Sequence, residues 1–201
     1  TLLMSAARKV PYLDQWTKQG HWQRTVGEAQ FGHDIFGKTL GIIGLGNIGA
    51  AVARRGFYGF KRNILYHNRR EKLELAQPLY AKCCALSELL QQSDFIVVAV
   101  DLNAESKALI GQSEFDNMQP HAVFVNIARG SVVDQQALIA TLKAGKIFAA
   151  GLDVYAKEPL QESELFHLDN VVTLPHVGSA TAETRKKMAE LAYRNVVDAL
   201  E

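Results

Sequence analysis

The stretch Thr39-Leu40-Gly41-Ile42-Ile43-Gly44-Leu45-Gly46-Asn47-Ile48-Gly49-Ala50-Ala51-Val52-Ala53 decides the fold of this chain. Thr39–Ile43 is a short apolar run that reads as a buried strand. Three glycines follow in G-x-G-x-x-G spacing, and the Ala-rich segment after them reads as a helix. A dinucleotide pyrophosphate needs that order. Gly44 permits a tight turn, Gly46 lets the backbone approach the phosphates, and Gly49 lets helix and strand pack closely. The helix start, through Asn47 and Ile48, offers unpaired N–H groups and a partial positive charge to an anion. A bare glycine pattern is weak evidence; one set between strand and helix is much stronger.

Outward from this unit, short β-like runs alternate with helical segments, the pattern of a parallel sheet covered on both faces. Strands are expected at Thr39–Ile43, Asn63–Tyr66, Phe95–Val100, Ala122–Asn126, Phe148–Val154 and Val171–Leu174, with a weaker one near Ala81–Cys84. Helices are expected at Gly49–Gly59, Leu86–Gln92 and Asp134–Ala144, the last closed by Gly145. The expected fold class is α/β, a Rossmann-type doubly wound parallel sheet. At the C-terminal end, Thr181–Leu200 reads as a helix with Met188, Leu191, Ala192, Val196, Ala199 and Leu200 on one side. At the other end, Thr1–Gly20 also reads helical, with Pro11 expected to end or kink it. Gly20–Lys38 lacks any period and carries Trp22, Phe31 and Phe36. It is an arm that packs on another subunit or folds over its own domain.

Composition narrows the class. The 201 residues, 48% hydrophobic and 21% charged, suit an ordinary globular chain with one sizeable core. A net charge of +1 gives no footprint for nucleic acid or an acidic membrane surface. No apolar run reaches membrane-spanning length, no metal is expected, and the opening residues lack a signal-peptide pattern. Cys83 and Cys84 are adjacent, a poor geometry for pairing, so reduced thiols and a cytoplasmic setting are expected. A start at Thr1 rather than Met suggests a piece of a longer protein.

The residues after the second strand bear on the nucleotide. NAD-binding units carry an acid there, roughly 20 residues beyond the glycines, for the adenosine ribose. Here the strand ends Tyr66-His67-Asn68-Arg69-Arg70, with no acid before Glu71. A carboxylate would repel a 2′-phosphate, whereas a guanidinium forms a charge-assisted fork with it. NADP(H) is therefore favoured over NAD(H). The plainer alternative makes Arg69 and Arg70 a solvated pair at a helix start, where cations are poorly placed against the dipole.

Three later segments carry chemistry: Asn126-Ile127-Ala128-Arg129-Gly130, Gly151-Leu152-Asp153-Val154-Tyr155-Ala156-Lys157-Glu158-Pro159, and Pro175-His176-Val177-Gly178-Ser179-Ala180-Thr181. Each follows the carboxyl end of an expected strand, where ligands sit in open α/β sheets. Together with the glycine fingerprint and in this order, they resemble the D-isomer-specific 2-hydroxyacid dehydrogenase family along essentially the whole chain. The Asn-Arg-Arg and Leu-Pro-His-Val-Gly-Ser-Ala-Thr runs look most like its glyoxylate/hydroxypyruvate and 2-ketogluconate reductase branch.

The resemblance implies a nicotinamide nucleotide held by Gly44, Gly46, Asn47, Ile48 and Gly49, by Asn68, Arg69 and Arg70, and by Val100 and Asp101. Ile127, Ala128, Asp153 and Gly178 complete that set, with Asp153 at the position that bonds the nicotinamide carboxamide. It also implies catalytic roles that the chemistry supports. Arg129 would fork onto a 2-oxo acid, Glu158 would orient and favour the protonated imidazole, and His176 would donate the proton. The implied partners are a small 2-oxo or 2-hydroxy acid and a second copy of the chain. Asp101 replaces a proline common in relatives, and it either bonds a ribose or adenine edge or faces water. The implied division is residues 1–35 as crossover helix and arm, 36–180 as the dinucleotide-binding domain, and 181–201 as a helix returning toward a substrate domain absent from this chain. The apolar faces of both terminal helices are then expected to be exposed. A nucleotide-sensing, corepressor-like binding module is the alternative on the same fold.

Overall fold

The computed structural model describes residues 1–200. In chain order it holds α1 (Leu2–Ala7), α2 (Val10–Lys18), β1 (Thr39–Ile43), α3 (Asn47–Phe60), β2 (Asn63–His67), α4 (Leu73–Ala76), β3 (Lys82–Cys83), α5 (Leu86–Gln92), β4 (Phe95–Val98) and α6 (Gln112–Asp116). Then come β5 (Val123–Asn126), α7 (Gln135–Lys143), β6 (Ala149–Leu152), β7 (Val171–Thr173) and α8 (Ala182–Leu200).

The seven strands form one parallel sheet in the order β3-β2-β1-β4-β5-β6-β7. The order reverses between β1 and β4, which opens a crevice beyond their carboxyl ends. Strand side chains alternate between two buried layers. Ile43, Ile96, Val98, Phe124 and Leu152 pack with Leu89, Phe115 and Leu138 from α5, α6 and α7. Leu40, Ile42, Phe95, Val97 and Val125 pack with Ala6, Ala7, Ala50 and Ala53 from α1 and α3 on the other face. The doubly wound sheet expected from the sequence is thus present, its central strands β1, β4, β5 and β6 buried on both faces as a covered parallel sheet requires.

Differences from the expected elements sit mostly at strand ends and have local causes. β4 and β6 stop at Val98 and Leu152, short of Val100 and Val154, because the chain there leaves the ladder to build the crevice. α3 begins at Asn47, directly after Gly46. Pro11 neither ends nor kinks a helix. The break falls at Arg8–Lys9, where Lys9 turns left-handed at φ 51°, and Pro11 sits in the first turn of α2, where a missing N–H costs nothing. α7 is capped by Asp134, whose Oδ1 accepts from the N–H groups of Gln136 (3.0 Å) and Ala137 (3.1 Å).

The expectation of exposed terminal faces holds for one end only. In α8, Met188, Leu191, Val196 and Leu200 are exposed, and the helix buries none of its residues. In α1, by contrast, Leu2, Ala6 and Ala7 are buried, because α1 lies against β5, β6 and β7 of the same sheet. Trp22, Phe31 and Phe36 of the arm are exposed. Among the described residues, no helix is long and apolar enough to cross a membrane.

Candidate functional site

The crevice at the β1/β4 switch is a cleft of about 760 Å³. Gly44, Gly46, Asn68, Arg69, Arg70, Val100 and Asp101 line it, joined by His67, Lys72, Asn103, Glu105 and Ser106. The glycines explain its floor. Gly44 turns at φ +100°, and a Cβ there would lie 2.7 Å from the Ala99 carbonyl oxygen. A Cβ on Gly49 would lie 2.0 Å from the Gly44 carbonyl oxygen, so only glycine lets α3 start this close to the loop. Gly46 differs: a Cβ there would meet nothing within 4 Å.

α3 also has no side-chain cap, and Ile48 in its first turn is 63% exposed. Fourteen residues of helix therefore present uncapped N–H groups beside an open glycine. These features fit a pyrophosphate and require no other ligand.

Asn68 reaches the same loop, its Oδ1 accepting from the Leu45 N–H at 2.6 Å, and so clamps the end of β2 to the glycine turn. His67, where an NAD unit carries its acid, bonds the Cys84 carbonyl through Nδ1 at 3.1 Å. That leaves a basic wall of Arg69, Arg70 and Lys72. Facing it is the segment after β4, with Asp101 and Glu105, and Arg69 is joined to Glu105 at 2.6 Å.

The second half of the site lies past the ends of β5, β6 and β7, outside the cleft lined by Gly44, Gly46 and Arg69, and it holds the other residues expected at the nucleotide, Ile127, Ala128, Asp153 and Gly178. Buried Asn126 ends β5 and shapes the next turn: its Oδ1 accepts from Ala128 N–H (3.0 Å) and its Nδ2 donates to the Arg129 carbonyl (3.1 Å). Arg129 is exposed and spends one N–H on the Ala128 carbonyl at 2.6 Å, leaving most of its five donors free. Gly130 lies against the backbone of Tyr155 and Ala156, so the Arg129 turn and the Glu158 loop are in main-chain contact.

Glu158 and His176 meet directly. His176 Nδ1 lies 2.8 Å from Glu158 Oε2, while Glu158 Oε1 accepts from the Tyr155 N–H at 2.9 Å. A carboxylate accepts only, so Nδ1 carries the proton of that bond and Nε2 is left for chemistry. The His176 hydrogen bond, helped by the Tyr155 N–H and the charges of His176 and Arg129, holds the Glu158 carboxyl below its usual range despite partial burial. His176 adopts φ 54°, an arrangement fixed from behind by Asp153. Asp153 is buried, and its oxygens accept from Val177 N–H (2.8 Å) and Gly178 N–H (2.9 Å). Tyr155 adds a second tie, its hydroxyl donating to the Leu174 carbonyl at 2.9 Å, and burial beside Asp153 pushes its pKa up to about 12.

Arg129, Glu158 and His176, named from separate motifs, are thus gathered at one end of the sheet, the end that also carries the glycine loop. Asp153 and Gly178 bond each other, and Ile127 and Ala128 lie in the turn that Asn126 holds. The supporting parts of Asn126 and Tyr155 were not singled out in the sequence. The fixed place of Asn126 three residues before Arg129 was the available signal.

The model of the D-isomer specific 2-hydroxyacid dehydrogenase NAD binding domain matches residues 1–178. Glyoxylate/hydroxypyruvate reductase B of Klebsiella pneumoniae (strain 342) is 48% identical over 200 residues, covering 99% of this chain and 62% of the relative. The enzyme of the same name from Salmonella newport (strain SL254) is 46% identical over 201 residues, covering 100% and 62%. Among solved structures, the TT0316 protein from Thermus thermophilus superposes with a TM-score of 0.91 at 38% identity, over 99% of this chain and 62% of its own. A glyoxylate reductase from Paecilomyes thermophila gives 0.90 at 40% identity, over 100% and 60%. The chain therefore spans about three-fifths of the length of these relatives. By fold, by site and by these matches, it belongs to the D-isomer-specific 2-hydroxyacid dehydrogenase family, whose NAD-binding domain it contains.

Proposed function

We propose that the chain forms the cofactor half of a reductase that converts a small 2-oxo acid (glyoxylate, hydroxypyruvate or 2-ketogluconate) to the D-2-hydroxy acid, preferring NADPH. The observation that carries this reading is the Glu158–His176 hydrogen bond, set beside Arg129 at the sheet end that holds the glycine loop. The names of the curated relatives and of one structural neighbour support the substrate class. The preference for NADPH is supported by the basic wall of Arg69, Arg70 and Lys72 and by His67 where an acid would repel a 2′-phosphate.

A bound dinucleotide would supply the hydride, and Gly44, Gly46, Asn47, Ile48 and Gly49 would hold its pyrophosphate, with Arg69 and Arg70 at the adenosine end. Every other step falls to the protein. The free donors of Arg129 fork onto the carboxylate and carbonyl oxygen of the 2-oxo acid, which fixes the face presented and draws electron density from the carbonyl carbon. His176 Nε2–H would protonate the oxygen as hydride is added at that carbon, so the C–O π bond breaks, one C–H and one O–H bond form, and His176 is left neutral. Glu158, accepting from Nδ1–H, keeps Nε2 turned toward the substrate before and after transfer. His176 is exposed enough, at 48% of its side chain, to regain its proton from water.

A second domain, beyond the three-fifths matched here, would complete the substrate pocket and close over it. The exposed face of α8 is the surface we assign to it, and the arm with Trp22, Phe31 and Phe36 is the surface we assign to a second copy.

The test is oxidation of NADPH by the full-length protein with each of the three 2-oxo acids, with NADH as control. Turnover that is faster with NADPH supports the reading. A folded protein that binds NADPH and reduces none of them refutes it and favours a nucleotide-sensing module.

A further inference from the structure

We infer that Glu105 tempers the preference for NADPH by competing with the 2′-phosphate for Arg69. This rests on the NADPH reading above and adds to it a residue that works against that preference.

Arg69 leaves the end of β2 and Glu105 leaves the turn after β4, and they meet at 2.6 Å at the edge of the nucleotide cleft that both line. Glu105 is not presented by a loose loop. Asn103 Oδ1 accepts from the N–H groups of Glu105 (2.9 Å) and Ser106 (3.0 Å). Ser106, buried, donates from Oγ to the Asp101 carbonyl at 2.6 Å and accepts from the Asn103 N–H at 2.8 Å. This self-capped turn holds the carboxylate over the basic wall. Arg70 and Lys72, on that wall, have no ion-pair partner among the described residues. One cation is clasped and two are free.

The clasp is easily broken. Its side chains are 74% and 67% exposed, and exposed pairs hold weakly. A dianionic 2′-phosphate entering the wall offers Arg69 a bidentate partner of higher charge, and Glu105 is then left as a like charge facing the phosphate. A ribose with a free 2′-hydroxyl brings no such charge, so the clasp stays closed. Glu105 therefore weakens NADPH binding while leaving NADH binding largely untouched.

The experiment titrates the intact protein with NADPH and with NADH at low salt, in the parent form and as Glu105→Gln, Arg69→Met and the double variant. At this exposed position Glu105→Gln leaves the fold intact. The expected result is a Kd for NADPH lowered about two- to fivefold in Glu105→Gln, with the NADH Kd unchanged, and loss of that gain in the Arg69→Met background. An unchanged NADPH Kd, an equal change for both nucleotides, or a gain that persists without Arg69 would overturn the inference. The parent protein's own ratio reports separately: tighter binding of NADH would overturn the NADPH reading, while the response of the NADPH Kd to Glu105→Gln still decides the role of Glu105.

Discussion

Gly130 is the point where the Arg129 turn touches the Glu158 loop of the proposed catalytic site, and Gly130→Ala tests whether that contact matters. A methyl group at this position would lie 1.8 Å from the Tyr155 carbonyl carbon, 1.9 Å from its oxygen and 2.4 Å from the Ala156 nitrogen. All three are main-chain atoms, so no rotamer change relieves the overlap. Inserting a methylene where side chains can yield costs about 1–3 kcal/mol. Here the turn after β5 has to separate from the loop after β6, which puts the cost at the upper end, about 3 kcal/mol. For a domain of this size each kcal/mol lowers Tm by roughly 2–4 °C, so the expected fall is about 6–12 °C in thermal unfolding followed by circular dichroism. The same separation carries Arg129 away from Glu158 and His176. A displacement of about 1 Å there costs on the order of 100-fold in turnover by the full-length protein. NADPH binding should be weakened at most in part, at the Ile127–Ala128 turn, because the glycine loop that would take the pyrophosphate lies at β1 and not at β5. A Gly130→Ala protein with unchanged melting and turnover would refute the view that this contact registers Arg129 against Glu158.

Gly46→Ala should behave in the opposite way. The added methyl meets nothing within 4 Å, so melting stays within about 1 °C of the parent, yet calorimetric titration should show NADPH affinity reduced at least about tenfold because the methyl takes the phosphate's place. Glu158→Gln removes the carboxylate that accepts from His176 Nδ1–H and should lower kcat about 10- to 100-fold in the full-length protein while NADPH binding is kept; an unchanged kcat would contradict the orienting role. Because the fold depresses the Glu158 pKa, its stabilising effect is present above the ordinary carboxylate range and lost as pH falls through the depressed value; melting of the parent, but not of the Gln variant, should show that small acid-side loss. Arg62 is 2% exposed and stacked 3.9 Å from the Phe95 ring, with both terminal nitrogens unpartnered and burial pushing its pKa down to about 10. Arg62→Met should therefore be neutral or stabilising by about 1 kcal/mol in denaturant unfolding; a large loss would mean that the guanidinium finds acceptors.

Much of this architecture was legible because local and global signals agree. Thr39–Ile43 is apolar, followed by glycines and then alanines, and it forms the strand, turn and helix that each signal specifies. Strand ends were less legible. Ala99, Val100, Asp153 and Val154 continue an apolar or strand-like pattern; Ala99 and Asp153 still donate to Ile43 (2.8 Å) and Asn126 (3.1 Å) on the adjacent strands before the chain turns out of the ladder into the crevice. Pro11 misled because its effect depends on position, and the left-handed Lys9 that starts a new helix leaves no trace in composition.

In the site, Arg129, Glu158 and His176 were legible from motif spacing, but what holds them was not. The bonds from Asn126 to its own turn and from Asp153 to Val177 and Gly178 join backbone groups, which sequence does not display. The Arg69–Glu105 clasp was hidden for another reason: its partners are 36 residues apart and belong to different strand exits. The exposed apolar side of α8 reads identically whether or not something covers it, so its pattern predicted the helix and not its surroundings.

His176, held by Glu158 beside Arg129, is the group we propose to give the proton to a 2-oxo acid as it is reduced. The most direct test is His176→Asn in the full-length protein. Asparagine tolerates the left-handed conformation that His176 adopts at φ 54°, so the loop keeps its shape while the proton donor is removed. NADPH should bind as before while its oxidation with glyoxylate or hydroxypyruvate falls by at least about 100-fold. Turnover near the parent rate would contradict that role.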